Sequence, residues 1–430
     1  MRVRVAFALG CGLWCAAARI AQPLSAQRGG MFLGSTEDMA IKYGTAPLDN
    51  PVVAVNQKLG DGSVRLALDG RGGYLQSALQ ALDIPVESQM LVFSATSLQA
   101  RLINPDNPRA LFFNDRVVLG YVRKGEILEV AAQDATEGTV FYTLEQKAAD
   151  TPQFQRVITC LGCHLNGDTL GVPGLLMFST TPASDNRPAS SAAMDHRMPL
   201  KDRWGGWFVT GSSGGAEHIG NRVPALDGRL GRELTSASGL FEPDGFRATT
   251  SDIAALMVFS HQTYMTNLIT RAGWEARAAD PRLHPPFVAA PGEDARIAAV
   301  MSGVANEVVD YMLFIDETPL TDPVRGASGF AEKFSAEGPR DRQGRSLHEL
   351  DLSRRLMKYP CSYLIYSVAF DQLPPGAKDP IYRRMWQILS GNERQARYGS
   401  ALSLADRRAI VEILRDTKPG LPSYFRDVSR

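Results

Sequence analysis

Cysteine and histidine are scarce in this chain: its 430 residues include five of the first and six of the second. Cys11 and Cys15 fall in an N-terminal apolar stretch. That leaves Cys160, Cys163 and Cys361, too few for a disulfide framework. Charge of one sign is lacking too, with 46 basic residues against 46 acidic, and this removes any reason to expect a nucleic-acid or anionic-membrane partner. No segment after the N-terminus has the roughly 18 uninterrupted apolar residues of a membrane-spanning helix. Internal repeats, low-complexity tracts and a glycine-rich phosphate loop with its lysine are also missing.

Against that background one run stands out. Cys160, Leu161, Gly162, Cys163 and His164 spell C-x-x-C-H, the arrangement that attaches haem covalently. Two thiols three positions apart can add to the two vinyl groups of one porphyrin, and the adjacent imidazole then ligates the iron. The same spacing could instead serve a redox dithiol, half a zinc site or a structural disulfide. Zinc would need a second ligand pair at short spacing, and Cys361 has no such neighbour. A dithiol oxidoreductase would place the motif at a strand-to-helix turn of a βαβ unit, whereas Thr151 to His164 reads as a helix or turn with the motif at its end. One covalent haem, anchored by Cys160 and Cys163 and ligated by His164, is the expectation.

The N-terminus agrees with it. Arg2 and Arg4 precede an apolar stretch from Val5 to Ala18, and small residues follow at Ser25 and Ala26. Residues 1–26 therefore read as a secretory signal peptide, and attachment of haem to C-x-x-C-H takes place outside the bacterial cytoplasm. Loss of Arg2, Arg4 and Arg19 would leave the mature chain with a net charge near −3. Cys361, ahead of the apolar run Tyr363 to Tyr366, reads as a buried, inert thiol.

The remaining chain divides into three regions, giving an α+β fold. Residues 27–150 are rich in strand signals. A short helix at Gly73 to Leu82 precedes β-branched or aromatic runs at Met90 to Ser94, Leu111 to Phe113, Val117 to Val122, Ile127 to Ala131 and Thr139 to Leu144, with turns between them. An antiparallel sheet accounts for these runs. Residues 151–243, dense in Gly, Pro, Ser and Trp, read as irregular chain around a cofactor, with a strand at Trp204 to Val209.

Residues 244–430 read as helical. Thr249 is expected to cap a helix with Asp252 in its third position, and Ile253, Leu256, Met257, His261, Tyr264, Met265 and Leu268 share a face. A second helix follows over Ile297 to Ile315. Others are expected at Leu347 to Met357, Ser362 to Leu373 and Pro380 to Leu389, and a last one is capped by Ser403 with Asp406.

The second axial ligand decides what the iron can do. Methionine raises the potential and suits electron transfer, whereas an open position admits small ligands. The candidates after the motif are Met177, His196, Met198, His218 and His261, with Met257 and Met265 beside the last. His218 is favoured because its glycine-rich loop can present a ligand without crowding, and His261 and Met198 stand as its alternatives. Gly211 to Gly215 also satisfies G-x-S-x-G, the nucleophile elbow of α/β-hydrolases. No helix is expected after it, and the chain lacks alternating βα units.

Three stretches carry a resemblance: QMLVFSATSLQARLINPDNPRALFFNDRVVLGYV from Gln89 to Val122, the CLGCH motif, and DHRMPLKDRWGGWFVTG from Asp195 to Gly211. Together they resemble a family of large exported bacterial proteins with a single cytochrome-c-type haem motif, mostly without an assigned function. The likeness extends toward the helical segment around YPCSYLIYSVAFDQLPP. In that family the segment after the Trp strand often reads His, Met, Gly, Asn, whereas here Ile219 follows His218. The resemblance implies haem and export, and no particular substrate.

Three functions are compatible with these features. A periplasmic monohaem c-type cytochrome would pass single electrons to and from a redox partner protein. A peroxidase-like haem enzyme would use His218 or His261 as an acid or base above an open iron. A sensory or binding module would use haem as a ligand receptor. Absence of a second C-x-x-C-H motif favours the first over a di-haem peroxidase.

Overall fold

The computed structural model describes residues 30–182, 188–223, 233–284 and 292–426, so the expected signal peptide lies outside the described residues. Two short helices come first, α1 (Pro51–Gly60) and α2 (Leu75–Ala81). Asn50 caps α1, its side chain accepting from the N–H groups of Val52 and Val53. Six strands follow: β1 (Met90–Val92), β2 (Arg109–Phe113), β3 (Val117–Val122), β4 (Ile127–Asp134), β5 (Gly138–Glu145) and β6 (Gln155–Arg156). A one-turn helix α3 (Leu161–His164) carries the motif, and the hairpin β7 (Phe178–Pro182) and β8 (Pro188–Ala193) comes after it. β9 (Trp207–Phe208) then returns to the sheet, and β10 (Gly211–Ser212) pairs with β11 (Glu233–Leu234).

The result is α+β: one seven-stranded antiparallel sheet in the order β6-β5-β4-β3-β2-β1-β9, followed by a helical half. Period-two alternation sends the two sets of side chains into different cores. Leu91, Phe112, Leu119 and Val130 join Val52 of α1 and Leu75 of α2. Met90, Leu111, Phe113 and Val118 join the helices on the other face.

The helical half is built on α4 (Ile253–Ala278), which is 26 residues long and buried on nearly every side. A helix covered all round needs partners all round. The sheet supplies one, with the Phe113 and Phe259 rings 5.0 Å apart. The rest come from α5 (Glu293–Met312), α6 (Phe330–Ala336), α7 (Val368–Asp371) and α8 (Pro375–Leu389), with α9 (Ala396–Ala401) and α10 (Leu404–Thr417) beyond. The expected Ser403–Asp406 capping box starts α10. No helix among the described residues is long and apolar enough to cross a membrane.

Four local expectations are corrected. Asp252, not Thr249, caps α4, and its carboxylate accepts from the N–H groups of Ala254 and Ala255. The segment from Leu347 to Met357 is not a helix: Leu352 adopts a left-handed φ of 54°, and Asp351 Oδ1 captures the N–H groups of Ser353 and Arg354, which diverts the backbone from i to i−4 bonding. Ser362 to Leu373 breaks into a 3-10 turn at Tyr363–Tyr366 and α7, because Ser362 and Ser367 each cap a new start. The Trp strand is only two residues long, since Trp204 and Gly206 both have positive φ.

Candidate functional site

Between β6 and the motif the chain turns once. Leu161 N–H donates to the Ile158 carbonyl, Gly162 to Thr159, and both Cys163 and His164 to Cys160. One turn at this spacing puts residues three apart on the same side. Cys160 is half-buried and Cys163 exposed, and both are free thiols. The pair is thus not held as a disulfide. Burial pushes the Cys160 thiol above its ordinary pKa, and the Glu129 carboxylate adds to that rise.

The imidazole of His164 is held from both sides. Its Nδ1 lies 2.9 Å from the Gly174 carbonyl oxygen, and Gly174 N–H donates back to the His164 carbonyl at 3.0 Å. Its ring rests on Phe141 of β5, with centroids 4.7 Å apart. Burial lowers the His164 pKa, so the ring is neutral at physiological pH. A neutral ring facing a carbonyl through Nδ1 carries its proton there, which leaves the Nε2 lone pair free to bind a metal.

Gly174 is itself fixed by α4. The Asn267 amide accepts from Leu175 N–H and donates to the Leu175 carbonyl, each at 2.9 Å. A Cβ at position 174 would come within 2.4 Å of Asn267 Oδ1, so this loop can lie so close to α4 only with glycine there. Between His164 and Gly174, Asn166 and Thr169 form a reciprocal capping box, and Asn166 Nδ2 donates to the Cys163 carbonyl at 2.7 Å.

The sheet face beneath the motif bears an ion pair. Arg109 of β2 and Glu129 of β4 meet at 2.5 Å with side chains only 20% and 10% exposed. Glu129 also accepts the Leu98 N–H at 3.1 Å.

The candidate second ligands lie in several places. Met177, Met257 and Met265 are buried in the core between sheet and helices, and Met198 packs against it. His196 and His261 are fully buried and bonded to each other, Nδ1 to Nδ1, at 2.9 Å. His261 Nε2 is engaged as well, with Ser362 Oγ at 2.8 Å. His218 lies edge-on against Trp204, and its Nδ1 accepts the Gly220 N–H at 3.1 Å. That bond places the proton of a neutral ring on Nε2, the opposite tautomer to His164, so His218 as folded offers a donor and not a lone pair. No cluster of three or more His, Cys, Asp or Glu suited to a metal ion occurs among the described residues.

Met31, N-terminal to the motif, is not among the candidates that follow it in sequence. Phe32 N–H donates to the Leu170 carbonyl, and this seats the partly exposed Met31 against Gly167 and Gly171, just past the motif. No local sequence signal reports that approach across more than a hundred residues. In the G-x-S-x-G run, Ser213 is buried and donates to the Ala216 carbonyl at 2.8 Å, and no helix follows it before residue 223. Cys361 is fully buried, and burial drives its thiol pKa upward, in keeping with an inert role.

These residues fit a covalently attached haem. Two free sulfurs stand one turn apart, one half-buried and one exposed, a neutral imidazole beside them has its Nε2 lone pair available, and apolar Ile158, two residues before Cys160, is more than half exposed. Comparisons with protein families, with curated proteins and with solved structures each found no match to this chain.

Proposed function

We propose that this protein is an exported c-type cytochrome that holds one haem through thioethers to Cys160 and Cys163, ligates its iron through His164, and passes single electrons to a periplasmic redox partner. The observation that carries this reading is the His164 imidazole, set by the Gly174 carbonyl in the tautomer a metal needs and lying next to two free thiols at the right spacing. Bound haem supplies a one-electron iron couple. The chain's own part is to present the two sulfurs on one side of a turn, to hold the imidazole against Phe141, and to keep its proton on Nδ1. The resemblance to exported bacterial proteins with a single C-x-x-C-H motif is part of this proposal and supports the same cofactor and compartment.

A second reading draws on the candidate ligands. His261 has both ring nitrogens engaged, His218 is in the donor tautomer, and three of the methionines are core residues. An iron ligated by His164 alone would keep a position open for peroxide or a small ligand, which suits a peroxidase-like enzyme or a sensory module. Absorption spectra of the oxidised, reduced and carbon monoxide-treated protein separate the two. A six-coordinate spectrum indifferent to carbon monoxide supports the carrier. Carbon monoxide binding supports the open site, and peroxide turnover then distinguishes enzyme from sensor. Replacing His164 by alanine should change the reduced spectrum in either case, and an unchanged spectrum would refute its ligand role.

A further inference from the structure

The ion pair beneath the motif has a role that fold stability does not explain. Arg109 and Glu129 reach toward each other across β3, where Gly120 pairs with Glu129 on one side and Leu111 on the other. Glycine in the middle of a strand weakens it. Here its missing side chain makes room, because a Cβ at 120 would stand 2.6 Å from the Arg109 guanidinium. Burying two charges is a poor means of stabilising a sheet, since desolvation offsets the attraction between them. The pair is also incompletely satisfied: Arg109 Nε is buried with no acceptor among the described residues.

Its position gives it a target. Ala131 of β4 pairs with Phe141, the residue in contact with the His164 ring. Glu129 is the next residue on that same face of β4, so the pair lies one step along the sheet from the side chain supporting the imidazole. Shielded charges in a medium of low dielectric act over longer distances than they do in water.

We propose that Arg109 and Glu129 set the reduction potential of an iron ligated by His164, the Glu129 carboxylate favouring the ferric form and the Arg109 guanidinium the ferrous. This rests on the haem reading above. Each charge stabilises the oxidation state whose added charge it opposes in sign, and the balance of the two fixes the potential. They are tuning residues and contact neither sulfur nor iron.

The test is the midpoint potential of the haem-loaded full chain, measured by spectroelectrochemistry. Glu129→Gln keeps an oxygen for the Leu98 N–H and removes the negative charge. It should favour the ferrous form by about tenfold, a rise of about 59 mV for a one-electron couple. Arg109→Gln should move the potential down by a similar amount, and the charge-preserving Arg109→Lys should restore most of the loss. Shifts of both Gln variants in the same direction would mark a packing disturbance and overturn the proposal, as would loaded variants with unchanged potentials. Failure of both variants to take up haem, with the parent loaded, would assign the pair to folding and overturn it too. A parent without attached haem refutes the haem reading and this proposal together, and its mass tells that case apart from a loaded protein with an insensitive potential.

Discussion

His196 and His261, 65 residues apart in sequence, face each other through their Nδ1 atoms at 2.9 Å in the centre of the helical half. Both rings pack against Tyr311 and Phe314. One proton lies between the two nitrogens, and burial keeps the pair neutral in the folded protein. Burial lowers His261 to about 3 and pushes His196 well down as well. The unfolded chain binds protons at both sites near pH 6.5, whereas the folded chain refuses them until far lower. Stability should therefore be full above about pH 6.5 and fall as pH drops toward 3, by up to about 1.4 kcal/mol per pH unit for each ring. Urea unfolding at a series of pH values checks this. His261→Asn should flatten the acid slope relative to the parent, and parallel curves would contradict the account.

Asn267 joins α4 to the loop whose Gly174 carbonyl holds His164. Asn267→Ala removes both bonds to Leu175 and should cost about 1–3 kcal/mol. In the loaded protein it should also broaden the haem absorption bands, because the Gly174 carbonyl is no longer fixed against Nδ1. Gly174→Ala should act the same way by pushing on Asn267. The checks are chemical denaturation for the first effect and absorption spectroscopy for the second.

Asp252 joins two distant pieces of backbone. One oxygen caps α4, and the other accepts from Ala327 N–H, Ser328 N–H and the Ser328 hydroxyl at 2.6 to 2.9 Å. Asp252→Ala should destabilise the fold by about 3–5 kcal/mol, since it removes a cap and leaves buried donors unpaired. Asp252→Asn should be nearly as damaging, because its amide nitrogen must face donors on one side or the other. A melting temperature unchanged by either replacement would contradict this.

The two sulfurs should be separable. Cys160→Ala and Cys163→Ala each leave one thioether, so haem should stay attached, with the reduced band moved to longer wavelength by the vinyl group that remains. The double replacement should abolish attachment. Mass spectrometry of the denatured variants reads each outcome.

Much of this architecture was legible in the chain, and what was hidden has physical causes. The strands showed because β-branched and aromatic residues cluster between Asn, Asp and Gly turns, yet their facing did not, since β3 is buried on both sides and its sequence does not alternate. The length of β9 was hidden because the positive φ of Trp204 and Gly206 and its pairing with β1, more than a hundred residues earlier, arise only in the fold. Leu347 to Met357 has helical spacing of its apolar residues, but Asp351 and a left-handed Leu352 override it. At the site, C-x-x-C-H was plain. The Gly174 acceptor, the Arg109–Glu129 pair beneath the motif and the approach of Met31 exist only after folding.

The most direct test of the central claim is the denatured protein itself, produced in a host equipped to mature c-type cytochromes. The account predicts a polypeptide heavier by one haem, whose colour survives acidic organic extraction and disappears from the chain when Cys160 and Cys163 are both replaced. A colourless chain with the mass of the processed polypeptide alone would contradict it.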